Sequence, residues 1–263
     1  MFCVVPASLH RNPLPYRPAP WSIPQRRAIR GMGKMGKNGR LDVQIVSALR
    51  PWAETSDERL FCPAFGGHPV DRAEYLALLP VQDSNGRLLA ALAEAPDAVP
   101  EGVCVGVLAV DPFRPVGPFL KTLRRFGVRA VANFPTTALF DGETGETLRG
   151  VGLGAEREVS FLEEAARGGF AVTGFAADAD IGRRLRAAGA GRLVVHPGAA
   201  TGDPSRDAEA VANAAAVAAE LRQEGGGPVL LYRAADFEDH HDVMRRAADG
   251  LVLPPGAGHS NRP

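Results

Sequence analysis

From residue 41 almost to the end of the chain, short apolar runs alternate with amphipathic helical stretches, and this alternation limits the fold more than any other feature. The runs are 43–49 (VQIVSAL), 60–65 (LFCPAF, with Pro63 counting against it), 103–110 (VCVGVLAV), 128–132 (VRAVA), 170–173, 192–195, 229–232 and 250–253. Their length and composition suit strands buried on both faces. Helical spacing appears in RLLAALAEA after Ser84-Asn85-Gly86, in 117–126 through Phe119, Leu120, Leu123 and Phe126, and in 156–167 through Val159, Leu162 and Ala166. It returns in 178–188 (closed by Gly189), in the Ala-rich 207–224 stopped by three glycines, and in 237–248. Short runs that alternate with helices are βα units of a parallel sheet. Eight runs, six of them followed by a helix, predict a closed (β/α)8 barrel rather than an open doubly wound sheet.

Two places strain that prediction. RPWAETSDER, between the first two runs, has room for little more than one helical turn, and after residue 253 only PPGAGHSNRP remains. The expected barrel therefore has a short first helix and lacks a last one. Wall left apolar by a missing helix would seek a partner, which makes a homo-oligomer the expected state.

The chain has 263 residues and a formal net charge of zero, unevenly placed. Residues 1–40 hold eight Arg or Lys, six Pro and no acid, leaving 22 basic against 30 acidic residues, a net −8, in the remainder. Residues 1–40 are expected to be a disordered basic extension, and 41–263 the barrel domain. Three origins compete for the extension: a basic arm for nucleic acid, a targeting segment, or upstream sequence read through from a start codon placed too early. Met32 and Met35, just ahead of the first apolar run, favour the last. The prolines spoil an amphipathic transit helix, and no aromatic interleaving supports a nucleic-acid arm.

The 45% hydrophobic content is that of a globular chain, and no run approaches the ~20 apolar residues of a membrane span. Cys3, Cys62 and Cys104 are too scattered for a disulfide framework or a zinc knuckle, and read as reduced thiols of a cytoplasmic protein. Lys121 is the only lysine after residue 40 and lies in a helical stretch, so a Schiff-base barrel enzyme is not expected.

A barrel of this kind gathers its chemistry at the C-terminal ends of the strands. Those ends carry Asp111 and Arg114 (DPFR), then Asn133, Thr136 and Asp141 (NFPTTALFDG), then His196, Gly198 and Thr201 (HPGAATG). His196, Asp111 and Asp141 are the candidate catalytic groups. Arg114, Asn133, Thr136, Thr201 and Gly198 are the candidate contacts to a small-molecule substrate. Arg114 suits bidentate recognition of a carboxylate or phosphate, and His196 suits acid/base work near neutral pH. Asp111 and Asp141 could orient His196 or bind a divalent cation such as Mg²⁺ through oxygen. Each also has a structural reading: Asp111 as a turn or helix cap, His196 as a strand-end histidine bonded to backbone, and NFPTT as an ordinary strand exit.

In order along the chain, DPFR, NFPT with Asp141-Gly142, Gly152-Leu153-Gly154 with Glu158-Val159, and HPG with Thr201-Gly202 resemble the phosphoenolpyruvate hydrolase-like family, whose members are also described as TIM-barrel signal-transduction proteins. Leu78-Leu79-Pro80 with Asn85 resembles that family's LLP…N segment. The resemblance implies a (β/α)8 barrel and a hydrolase- or lyase-type activity on a small phosphorylated or carboxylated molecule. The chain departs from the family pattern at several points. SALRPWAE stands where a glycine-rich loop is usual, Tyr232-Arg233-Ala234-Ala235 where HGGP is, and Pro254-Pro255-Gly256-Ala257-Gly258 where GASSxER is. Ala200 replaces one of two threonines, and Arg149 replaces an acid before the Gly152 motif. These losses keep a second expectation open: a barrel that binds a ligand or a protein partner without turnover.

Overall fold

The computed structural model describes residues 41–49, 58–95, 99–100 and 102–256. Eight parallel strands close on themselves in chain order: β1 Val43–Val46, β2 Glu58–Phe61, β3 Val103–Gly106, β4 Ala130–Ala132, β5 Ala171–Ala176, β6 Arg192–Val195, β7 Val229–Tyr232 and β8 Leu251–Leu253. β1 pairs with both β2 and β8, so the sheet has no edge. The helices are α1 Ala73–Leu78, α2 Ser84–Glu94, α3 Val116–Arg125, α4 Gly142–Gly150, α5 Ala155–Arg167, α6 Ala179–Ala187, α7 Pro204–Glu224 and α8 His241–Ala247. The expected (β/α)8 barrel is the fold. The basic extension, most of the first crossover and the segment after residue 256 lie outside the described residues. Among the described residues no helix is long and apolar enough to cross a membrane.

Strand side chains alternate between two cores, as the pleat requires. Val105, Val131, Val172, Leu193, Leu231 and Leu251 pack outward against the helices. Ile45, Leu60, Cys104, Ala132, Val194 and Leu230 fill the barrel interior. Near the floor of that interior, Arg192 of β6 forms a buried ion pair with Glu58 of β2 at 2.5 Å.

Several boundaries differ from the sequence reading, each for a local reason. β2 begins at Glu58 and stops at Phe61, because Pro63 opens a 3-10 turn over Pro63–Phe65. β3 ends at Gly106, where the strand crowds the next loop: a Cβ there would stand 2.5 Å from the carbonyl oxygen of Phe134. The 237–248 stretch divides into a 3-10 segment, Ala235–His240, and α8, with Phe237 out of helical geometry. α1 and α4 were not anticipated. α4 buries none of its residues, so no apolar stripe marks it.

Candidate functional site

The predicted site residues fall into three hydrogen-bonded networks at the C-terminal rim, with two further positions beside them. At the end of β3, Asp111 is buried and accepts from Asn85 Nδ2 (2.9 Å), Arg114 Nη1 (2.9 Å) and the Phe113 backbone N–H (2.8 Å). Asn85 also bonds both backbone groups of Leu108, which ties the start of α2 to the strand exit. Arg114 is completed by Asp83 at 2.5 Å. Burial alone would raise the Asp111 carboxyl, but its donors outweigh burial and hold it below the usual range. Both of its oxygens face N–H donors, one from a guanidinium, and that donor set does not fit a cation. Among the described residues no three His, Cys, Asp or Glu side chains gather as a metal ion would require. The same loop holds Phe113 84% exposed.

At the end of β4, the buried Asn133 donates to Glu158 Oε2 (2.8 Å) and to the Phe175 carbonyl (3.0 Å), and accepts from the Phe175 N–H (2.7 Å). The Thr136 hydroxyl donates to the same Glu158 oxygen at 2.9 Å, and the Thr137 N–H donates to Oε1 at 2.8 Å. Glu158 comes from the first turns of α5 and is 1% exposed. Burial pushes its carboxyl up to about 7, against the pull of the Thr137 N–H, Asn133 and Thr136.

At the end of β6, His196 is 2% exposed. Its Nδ1 accepts from the Gly198 N–H at 2.9 Å, so Nε2 carries the proton and donates to Glu74 of α1 at 3.2 Å. Gly198 reaches that position with φ at 86°, a left-handed geometry that favours glycine. The Tyr232 ring packs against the imidazole at a tilt of 45°, with centroids 4.8 Å apart, and its hydroxyl also donates to Glu74. Burial, and then the neighbouring Glu74 charge, push the Tyr232 phenol well above its ordinary value.

Phe134, Phe175 and Tyr232 pack together between the second and third networks, with ring centroids 4.8–6.2 Å apart. Arg157 joins the first network to α5 by donating to the Asp111 carbonyl at 2.9 Å. Thr201 donates through its N–H and hydroxyl to Asp207, at 2.7 and 2.9 Å, and so fixes the first turn of α7. Asp141 is exposed at the start of α4, and its side chain makes no capping bond.

None of those eight residues lines the cleft that opens on the same rim. A cleft of about 220 Å³ lies where α4, α5 and α6 meet the ends of β4 and β5. Its charged lining is Glu156, Glu158, Asp178, Asp180, Arg149 and Arg184, and Thr137 also borders it. Asn133 and Thr136 touch it only through Glu158. Glu158 had appeared in the sequence only as part of a motif. Its signal was there, because Glu158, Phe161, Leu162 and Ala165 form the buried stripe of α5 and put an acid on the apolar face. Glu74 sits likewise between Ala73 and Ala77 on the buried side of α1.

The phosphoenolpyruvate hydrolase-like family model matches residues 70–224, which hold all three networks and the cleft, apart from Tyr232. The chain belongs to this family. Among curated relatives it is similar to the ToMV resistance protein Tm-1(GCR237) of Solanum lycopersicum, 38% identical over 131 residues, 49% of this chain and 17% of that protein. The chain thus spans about a sixth of the length of its tomato relative. It is also similar to the uncharacterized protein y4oT of Sinorhizobium fredii (strain NBRC 101917 / NGR234), 34% identical over 132 residues, 49% of this chain and 67% of that one. Among solved structures it is similar to a tryptophan synthase subunit alpha from Campylobacter jejuni, with TM-score 0.43, 14% identity, 84% of this chain and 87% of that one. An HpcH/HpaI aldolase from Desulfitobacterium hafniense DCB-2 gives TM-score 0.39, 12% identity, 81% of this chain and 85% of that one.

Proposed function

We propose that this member of the phosphoenolpyruvate hydrolase-like family is an enzyme that binds a small carboxylated or phosphorylated molecule in the cleft, with Glu158 moving the proton. One observation carries the reading: a fully buried carboxyl, pushed up to about 7, reaches the wall of an open cleft on the catalytic rim of the barrel. An acid/base group works best when its pKa lies near the working pH, and Glu158 meets that condition. Asn133, Thr136 and the Thr137 N–H fix both of its oxygens, so the carboxyl is oriented before a ligand arrives. On phosphoenolpyruvate, the net change would be a water oxygen bonding to phosphorus while the phosphorus–oxygen ester bond breaks. The electron pair stays on the enol oxygen, and a proton added at C3 gives pyruvate. Glu158 in its protonated form is the group placed to supply that proton. His196 is a positioning residue in this reading, since its one proton is committed to Glu74.

The internal pairing of Asp111, Arg114, His196 and Thr201 favours the second reading, a barrel that binds such a molecule without turning it over. Phosphate release from phosphoenolpyruvate by wild type and Glu158→Gln separates the two. Loss of about 10²–10⁴ in kcat in the variant, at similar KM, supports the enzyme. Binding without phosphate release in wild type supports the second reading, and equal kcat in the two proteins removes Glu158 from the mechanism.

A further inference from the structure

Glu156, two residues before the proton-handling Glu158, folds back over the first turn of α5. Its carboxylate accepts its own backbone N–H and the Arg184 Nη1 at 3.2 Å, and Arg149 adds a further positive charge beside it. Gly154 begins that helix without a side-chain cap. Asp178 and Asp180 also border the cleft, and Asp178 is engaged in capping α6 through the Ile181 N–H at 2.8 Å. Both arginines line the cleft, and among the described residues Arg149 forms no ion pair.

We propose that the cleft is a carboxylate-binding site and that Glu156 holds the carboxylate position until a ligand displaces it. The proposal rests on reading the cleft as the substrate site, and it names the substrate class as a small carboxylic acid. The Glu156 and Arg184 side chains are 52% and 40% exposed, and ion pairs that exposed contribute little to stability. Such a contact is easily exchanged. A ligand carboxylate taking its place meets two guanidinium groups in a geometry that Arg suits. The rest of the ligand then extends toward Glu158. At about 220 Å³ the cleft falls below the usual range for drug-sized ligands, which restricts the acid to a compact one.

The test is calorimetric titration of the full chain with pyruvate and with phosphoenolpyruvate, on wild type, Glu156→Gln, Arg149→Met and Arg184→Met. Removing the resident carboxylate is expected to lower Kd about two- to fivefold, the range an ion pair this exposed allows, and removing either arginine to raise it by about tenfold or more. An unchanged Kd in Glu156→Gln, or arginine variants that bind as wild type does, overturns the proposal, as does the absence of binding to any of the four proteins. The two failures are distinguishable. Phosphate release that depends on Glu158, with a Kd indifferent to Glu156, sinks the displacement alone. A Kd that follows Glu156 and the arginines, with no phosphate release, keeps the carboxylate site and sinks the catalytic reading.

Discussion

Asn133 Nδ2 lies 2.8 Å from Glu158 Oε2, and the same amide group brackets the backbone N–H and carbonyl of Phe175. One side chain thus joins β4, β5 and α5, and it orients the carboxyl that faces the cleft. The orientation of the Glu158 carboxyl and the stability of the barrel are coupled at this residue.

Asn133→Ala is accordingly expected to damage both. It leaves two buried backbone groups of Phe175 unpaired, at about 1–3 kcal/mol each, and removes a donor that favours ionised Glu158. The expected loss is about 2–5 kcal/mol in urea denaturation, with the Glu158 pKa moving further up in a carboxyl-resolved NMR titration. A loss under about 0.5 kcal/mol, the scale of a neutral surface change, would show that the bracket is not structural.

The Glu158 carboxyl also sets a pH dependence of definite sign. Its folded value of about 7 lies above its ordinary 4.5, so between those limits the native state binds more protons than the unfolded state. This stabilisation is complete below pH 4.5, falls as pH rises toward 7 and is gone above it, a loss on the order of 3 kcal/mol. Asp111 and Asp207 are held below their ordinary 3.8, so their stabilisation is lost on the acid side, as pH falls below that value. Comparing unfolding free energies of wild type and Glu158→Gln from pH 4.5 to 8 isolates the first effect. The difference between the two proteins must change across this window, and parallel curves would refute the assignment.

How far the sequence could be read depended on whether a residue's partner was near it in the chain. β6 and β7 coincide with their apolar runs because burial on both faces selects the same residues as the pattern. β2 was displaced because its first residue, Glu58, looks like loop until Arg192 is found beside it, at a distance no local pattern encodes. α4 escaped because a helix that buries none of its residues has no apolar stripe. The motif residues Asp111, Asn133, Thr136 and His196 are all on the rim, as strand-end residues must be. Which of them faces ligand depended on side-chain pairing: Asn85, Glu74 and Glu158 take up their polar atoms from elsewhere in the chain. The cleft is walled mainly by α4, α5 and α6 beyond the ends of β4 and β5, so strand-end reasoning alone did not reach it.

Glu74→Ala is expected to loosen the His196 network without touching the cleft. The change leaves the imidazole N–H and the Tyr232 hydroxyl without their shared acceptor in a buried place. That costs about 2–4 kcal/mol and lowers Tm by roughly 4–16 °C in a domain of this size. Glu74→Gln keeps one carbonyl oxygen as acceptor and is expected to lose less. Calorimetric scans decide the matter, and a Glu74→Ala shift below about 2 °C would mean the two donors find other partners.

The floor of the barrel allows a sharper test, because its ion pair spans the interior. β2 and β6 are four strands apart in a ring of eight, so the pair formed by Glu58 and Arg192 crosses the barrel. The solvation of that pair is incomplete: Arg192 Nε and the Thr173 hydroxyl beside it in register have no hydrogen-bond partner. A buried pair with unmatched donors returns little of its desolvation cost, whereas deleting Glu58 takes away the carboxylate that Arg192 pairs with. Glu58→Leu alone is therefore expected to cost about 3–5 kcal/mol, and Arg192→Met alone to lose the same pair at a smaller cost. The double variant should regain most of both losses and end near wild type, giving a coupling energy above about 1 kcal/mol in a double-mutant cycle by urea denaturation. Additive losses would mean that each side chain is held by other contacts and that the pair does not act as a unit. A double variant more stable than wild type would mean that an apolar plug serves the floor better than charge.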